Sequence, residues 1–173
     1  MQNTLRPLLR ILLFAVIAFA LDRLAKIWGV DWMDLANLYT IEMFPPYLTY
    51  QMGWNEGVNF GFLGFGGDTM RYVLIGLALV LVTGLVIWQR RASGWLLPAA
   101  TGLVVGGALG NVWDRVIFGA VADFLNVSCC GINNPFTFNT ADVLIFVGVV
   151  GLIIWGDRDK GRSRGAKPRT HSR

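Results

Sequence analysis

Two aspartates, Asp123 and Asp142, lie beside long apolar runs in the stretch from Gly106 to Asp142, in company with Asn111, Asp114 and Asn139. An ionisable group inside or at the rim of a membrane segment costs about 2.5–3.5 kcal/mol on insertion scales, so it is a functional candidate by default. Two carboxyls that share a site cannot both ionise cheaply: one keeps a proton and the other stays charged. Such a pair can take a proton from water and give one to a leaving amine, which is general acid–base hydrolysis without a covalent intermediate. Asn111 and Asn139 can orient a substrate carbonyl or carboxylate, and Arg115 can hold a local charge or an aspartate in place. Spacing alone favours a plainer account, with Asp123 a solvated loop residue and Asp142 a helix-start acid.

The elements that must position these residues are membrane spans. The chain of 173 residues is read as one domain, 1–173, and its hydrophobic share of 54% with mean hydropathy +0.52 is too high for an ordinary soluble fold of that size. Several runs approach the ~20 apolar residues that cross a ~30 Å hydrocarbon core. They predict spans at about 8–28, 72–88, 95–116 and 140–156, outer loops at 29–70 and 117–139, and a disordered basic tail at 157–173. The two outer loops contain no Lys or Arg, while eleven of the fifteen fall in the start, the middle loop and the tail. Positive charge marks the cytoplasmic side, so both termini are expected there. The expected fold is an all-α membrane protein of four transmembrane helices with a small extracytoplasmic β-sheet or loop platform. Tyr47 to Trp54, rich in β-favouring residues and followed by the turn signal Asn55-Glu56-Gly57, supplies the strand pattern.

Within the spans, Asp22 and Lys26 fall at i, i+4 on one helical face and can offset each other's desolvation. Gly102, Gly106 and Gly110 recur every fourth residue, a packing stripe for close helix approach. Gly107, Asn111, Asp114 and Arg115 form a second stripe, polar at its outer end and so expected to face the bundle. Asn139 or Thr140 is a natural N-cap for the last helix, with Asp142 in its first turn.

Other classes are disfavoured. The net charge of +4 sits in the tail and the loops flanking the spans, so no nucleic-acid partner is expected. His171 is the only histidine, and Cys129 and Cys130 are adjacent, which leaves no plausible zinc site; no metal or cofactor is expected. Consecutive Cα atoms lie ~3.8 Å apart, too close for an unstrained disulfide, so the cysteines read as two small apolar loop residues. The basic start, apolar run and Ala18-Phe19-Ala20 mimic a cleavable signal peptide, but apolar character resumes past Asp22, so the segment is expected to stay as the first span.

Five pieces in order, Asp22-Arg-Leu-Ala-Lys26, Asn55-Glu-Gly57-Val-Asn-Phe-Gly61, Gly106-Gly-Ala-Leu-Gly-Asn111-Val-Trp-Asp114-Arg115, Val121-Ala-Asp123-Phe124 and Phe138-Asn139-Thr-Ala141-Asp142, resemble lipoprotein signal peptidase, the bacterial signal peptidase II. The resemblance implies an aspartyl endopeptidase, multi-pass in the bacterial cytoplasmic (inner) membrane, with its active site near the extracytoplasmic face. It would remove signal peptides from lipid-modified prolipoproteins, cutting just before a cysteine that carries diacylglycerol, in contact with membrane lipid. Asp123 and Asp142 match the catalytic dyad. Asn111, Arg115 and Asn139 match polar residues around it, and Asp22, Lys26, Asn55, Gly57, Gly107 and Asp114 match supporting positions. The cyclic peptide globomycin is the expected inhibitor. Asn59 departs from the family pattern, which has Ala there, and Cys129-Cys130 lies outside it. Two other classes compete: a proton-coupled transporter subunit with Asp22, Lys26, Asp114 and Asp142 as a relay, and a scaffold protein whose polar residues only tie helices together.

Overall fold

The computed structural model describes residues 4–57, 67–92, 94–129, 131 and 134–165, with side chains described as far as Gly156. Helix α1 (Leu5–Lys26) passes directly into a π-helical turn, Ile27–Trp32, and a single helical turn, α2 (Leu35–Leu38). Strands β1 (Thr40–Phe44) and β2 (Leu48–Asn55) follow, then α3 (Gly67–Gln89), α4 (Leu96–Phe118), β3 (Val121–Val127) and α5 (Thr140–Gly165).

Helix α4 is the centre of the bundle and packs on both α1 and α5. The four-residue glycine stripe lies against α1 as expected. A Cβ at Gly102 would stand 2.5 Å from Phe14 Cβ and 2.8 Å from the Ile11 carbonyl, and one at Gly106 would fall onto the Ala15 carbonyl. On the opposite face Gly107 meets the start of α5, where a Cβ would lie 2.7 Å from the Ala141 carbonyl oxygen. With no hydrophobic drive between helices in lipid, this backbone proximity is the source of their packing energy.

Helix α3 leans on α4 and turns Tyr72, Val73, Leu77, Val80, Leu81, Ile87 and Trp88 outward. Among the described residues, α3 from Asp68 to Gln89 and α4 from Leu96 to Phe118 are long and apolar enough to cross a membrane; α5 carries a shorter apolar stretch, Thr140–Gly156. Helix α1 is interrupted by Arg6, Arg10, Asp22, Arg23 and Lys26, although Leu9, Leu12, Leu13 and Val16 stay exposed along it.

The platform is a three-stranded antiparallel sheet in the order β1-β2-β3. The first outer loop supplies the expected hairpin. The third strand is a finding, because it comes from the second outer loop, where no strand was expected. Phe124 is buried with Leu35 and Tyr50, and the Tyr50 and Phe124 rings meet edge to face at 5.5 Å. Burying an aromatic of this size contributes about 1.5–3 kcal/mol, enough to fix β3 over the π-helical turn.

Two further expectations change. Helix α5 runs to Gly165, past the residue 156 at which the last span was expected to end, and 166–173 lie outside the described residues. Cys129, read from the sequence as a small apolar loop residue, is disulfide-bonded. Cys130 and Asn59 lie outside the described residues.

Candidate active site

The last helix begins with Asn139-Thr140-Ala141-Asp142, and its first turn closes on itself. The Asp142 backbone N–H donates to Asn139 Oδ1 at 3.1 Å, and the Asn139 backbone N–H donates to Asp142 Oδ2 at 3.2 Å. This is a reciprocal capping box with an aspartate in place of the more usual glutamate. It fixes the Asp142 carboxylate at the positive end of the helix dipole. The other oxygen, Oδ1, accepts the Asn111 side-chain amide of α4 at 2.9 Å.

Asp123 arrives from the sheet. Along β2 and β3, Thr49 pairs with Asn126 and Tyr50 with Leu125, but then Gly53 pairs with Asp123 and Asn55 with Val121. One additional residue lies in β2 between Tyr50 and Gly53, a β-bulge. Without it Asp123 would oppose Met52, and Asn55 would project from the other face of the sheet. With it, Asn55 and Asp123 share a face, and Asn55 Nδ2 donates to Asp123 Oδ2 at 3.0 Å. The second oxygen accepts Asn139 Nδ2 at 2.5 Å. The segment before Asn139 is itself laid along β3: Phe138 exchanges backbone hydrogen bonds with Leu125, and the buried Asn126 amide holds the Asn134 and Phe136 carbonyls.

Asn139 therefore touches both aspartates. In each of the three asparagines the acceptor end is already taken by another donor, and this turns the NH2 end toward a carboxylate. Asn139 Oδ1 holds the Asp142 N–H, and Asn55 Oδ1 holds the Gly57 N–H at 2.9 Å in an Asx turn that glycine completes at φ 98°. Asn111 Oδ1 faces the Lys26 ammonium at 3.4 Å.

Behind this layer is a buried ionic cluster. Asp22 and Asp114 are fully buried and share two cations. Lys26 Nζ lies 3.1 Å from Asp22 Oδ2 and 2.6 Å from Asp114 Oδ2, and Arg23 bonds Asp22 at 2.5 Å and Asp114 at 2.6 Å. Two acids against two bases leave the cluster neutral, and removing one partner from a buried pair costs about 3–5 kcal/mol. Arg23 is the member that sequence reasoning missed. The signal was charge balance, because Asp22 and Asp114 with Lys26 alone would strand a buried anion. Arg115 bonds the Asn111 carbonyl at 3.3 Å, and its guanidinium feels the charges of Asp123, Asp142 and Asp114.

The electrostatics of Asp123 follow from its seat. Burial, the largest influence, raises its pKa above the usual carboxylate value, and the charge of Asp142 adds to the rise; the amides of Asn139 and Asn55 and the Lys26 charge act against it. The net direction is up, so Asp123 is the carboxyl disposed to keep a proton. The Asp142 carboxyl is bonded by two N–H donors at a helix start. Water placed between them would meet an acceptor and a donor.

Comparison with known proteins gives one consistent match. A family model described as signal peptidase II matches residues 14–156. A protein of Methylorubrum extorquens named lipoprotein signal peptidase is 41% identical over 143 residues, 82% of each chain, and one of that name from Polynucleobacter necessarius is 38% identical over 166 residues, 92% of this chain and 96% of its own. Two solved structures described as a bacterial membrane enzyme, at 2.3 and 1.9 Å, share the fold with TM-scores of 0.69 and identities of 26% and 27%. They cover 92% and 86% of this chain, and 94% and 93% of their own. These relatives favour the peptidase over the transporter and scaffold alternatives.

Proposed function

Since the chain belongs to the signal peptidase II family and removes signal peptides from lipoproteins, we propose that it does so as an aspartic endopeptidase whose reacting groups are Asp123 and Asp142. The observation that carries this reading is Asn139, whose side-chain amide donates to the Asp123 carboxyl while its backbone N–H donates to the Asp142 carboxyl. Asp142 takes a proton from water as the water oxygen bonds to the scissile carbonyl carbon, and Asp123 gives its proton to the carbonyl oxygen. The resulting gem-diol then collapses: the C–N bond breaks, the leaving nitrogen takes the proton held by Asp142, and a diol hydroxyl returns one to Asp123. Net consumption is one water, and no covalent enzyme intermediate forms. Arg115 balances the negative charge of the pair from the side.

The substrate is a prolipoprotein already carrying diacylglycerol, cut just before the modified cysteine. Supporting this are the apolar helices beneath the site and an aromatic platform above it, in which Trp28, Trp32, Tyr39, Phe44, Tyr47, Trp54 and Phe136 are exposed. Such rings favour headgroup level. Acyl chains can then stay in lipid while the scissile bond reaches the carboxyls. The distribution of Lys and Arg supports four spans in the bacterial cytoplasmic membrane, both termini inside and the site at the outer boundary; an oxidised Cys129 suits that compartment. Globomycin is expected to occupy the same site. The test is cleavage by the purified protein in lipid of one precursor with and without its diacylglycerol. Cleavage of the lipidated form alone, immediately before the cysteine by mass of the products, supports the reading. Equal cleavage of both forms, or a cut elsewhere, refutes it.

A further inference from the structure

The N-terminus of α5 is not capped by its own residues alone. A helix start leaves its first N–H groups without intrahelical partners. Asn139 Oδ1 satisfies Asp142, and the first backbone helical bond, at 3.4 Å, runs from Val143 to the Asn139 carbonyl. The N–H just before these, that of the fully buried Ala141, donates at 3.0 Å to Asp22 Oδ1, a residue 119 positions earlier on α1. The other Asp22 oxygen is held by Arg23 and Lys26. Gly110 of α4 leaves room for this reach, since a Cβ there would stand 2.5 Å from Asp22 Oδ2 and 3.1 Å from its Cγ. Lys26, which bonds Asp22, also faces the acceptor end of Asn111, whose donor end binds Asp142.

We infer that Asp22 is a positioning residue for Asp142: it caps α5 from α1, and Arg23 and Lys26 keep its carboxylate aimed while it does so. The catalytic half of this statement rests on Asp142 being a reacting group; the cap does not. Helix α1 thereby sets the height and direction of the first turn of α5. Misplacing a reacting group by about 1 Å costs on the order of 10²-fold in rate.

The experiment has two readouts on Asp22→Ala, Asp22→Asn, Gly110→Ala and the Asp22→Ala/Gly110→Ala double variant, all full-length in lipid. Amide hydrogen exchange at Ala141 reports the cap, and kcat and KM on a lipidated precursor report its consequence. Asp22→Ala should speed Ala141 exchange by about tenfold or more and lower kcat by roughly 10- to 100-fold with KM within about twofold. Asp22→Asn keeps an acceptor oxygen and should recover much of both. Gly110→Ala displaces the carboxylate and should reproduce the pattern, yet add nothing once Asp22 is already Ala, because its methyl then has space. Should Asp22→Ala fail to fold, Asp22→Asn and Gly110→Ala deliver the same two measurements. Unchanged Ala141 exchange, an effect on KM alone, or additive losses in the double variant would overturn the inference. Activity surviving Asp142→Asn would instead remove the catalytic reading, and Ala141 exchange would still decide the cap.

Discussion

The two carboxyls of the site stand on unlike foundations. Asp142 opens a helix: its position is set by a capping box within four residues, by the Asn111 amide and by a cap from α1. Asp123 rides on a strand, and its direction depends on a bulge in the neighbouring strand and on a loop segment laid beside it. The helix seat is exposed to a dipole and accepts N–H donors, whereas the strand seat is buried enough to favour a neutral acid. One fold therefore seats two aspartates in unlike surroundings. The difference is architectural, and Asn139 is the one side chain that belongs to both seats.

Asn139→Ala should accordingly have the largest effect of any residue outside the pair, a loss in kcat on the order of 10²–10³-fold, because it opens the capping box and unties Asp123 together. Single-turnover cleavage of a lipidated precursor checks it, and a loss under tenfold would mean the seats are independent. The next effects, about 10- to 100-fold, separate the seats. Asn55→Ala removes a hydrogen bond that favours ionised Asp123, so its pKa should climb further and the alkaline limb of the pH–rate profile should move upward. Asn111→Ala touches only the helix seat and should lower kcat with that limb in place. A common shift in both profiles would break the comparison.

A smaller effect concerns stability. A group whose folded pKa is raised contributes stability that is fully present below its unfolded value and lost as pH rises through the folded value. Wild type should therefore lose melting temperature relative to Asp123→Asn as pH climbs above the ordinary carboxylate range of about 4. A gap that is constant with pH would contradict the buried seat. The smallest effect of all is expected from EDTA, which should leave cleavage unchanged; lasting inactivation by chelator would point to a metal.

The same contrast explains what was readable in the chain. The helix seat was legible because its parts are local: Asn139 and Asp142 are three apart, Asp22 and Lys26 four apart, and the glycine stripe has a fixed period. The strand seat was not, because a bulge is a relation between two strands, and nothing in Val121 to Val127 marks a strand whose apolar residues fall on both faces. Arg23 was hidden for a related reason. Its partners, Asp22 beside it and Asp114 on another helix, become one cluster only when α1 meets α4 at the glycines of α4. The continuation of α5 past Gly156 has no apolar pattern to announce it.

The central claim is that one proton is divided between two unlike carboxyls. The most direct measurement is the cleavage rate of a lipidated precursor by wild type, Asp123→Asn, Asp142→Asn and the double variant in the same lipid. Groups that act as a unit fail together, so each single variant should lose about 10³-fold or more, and the double variant little beyond either. A single variant retaining a substantial fraction of wild-type rate, or losses that multiply in the double variant, would contradict it.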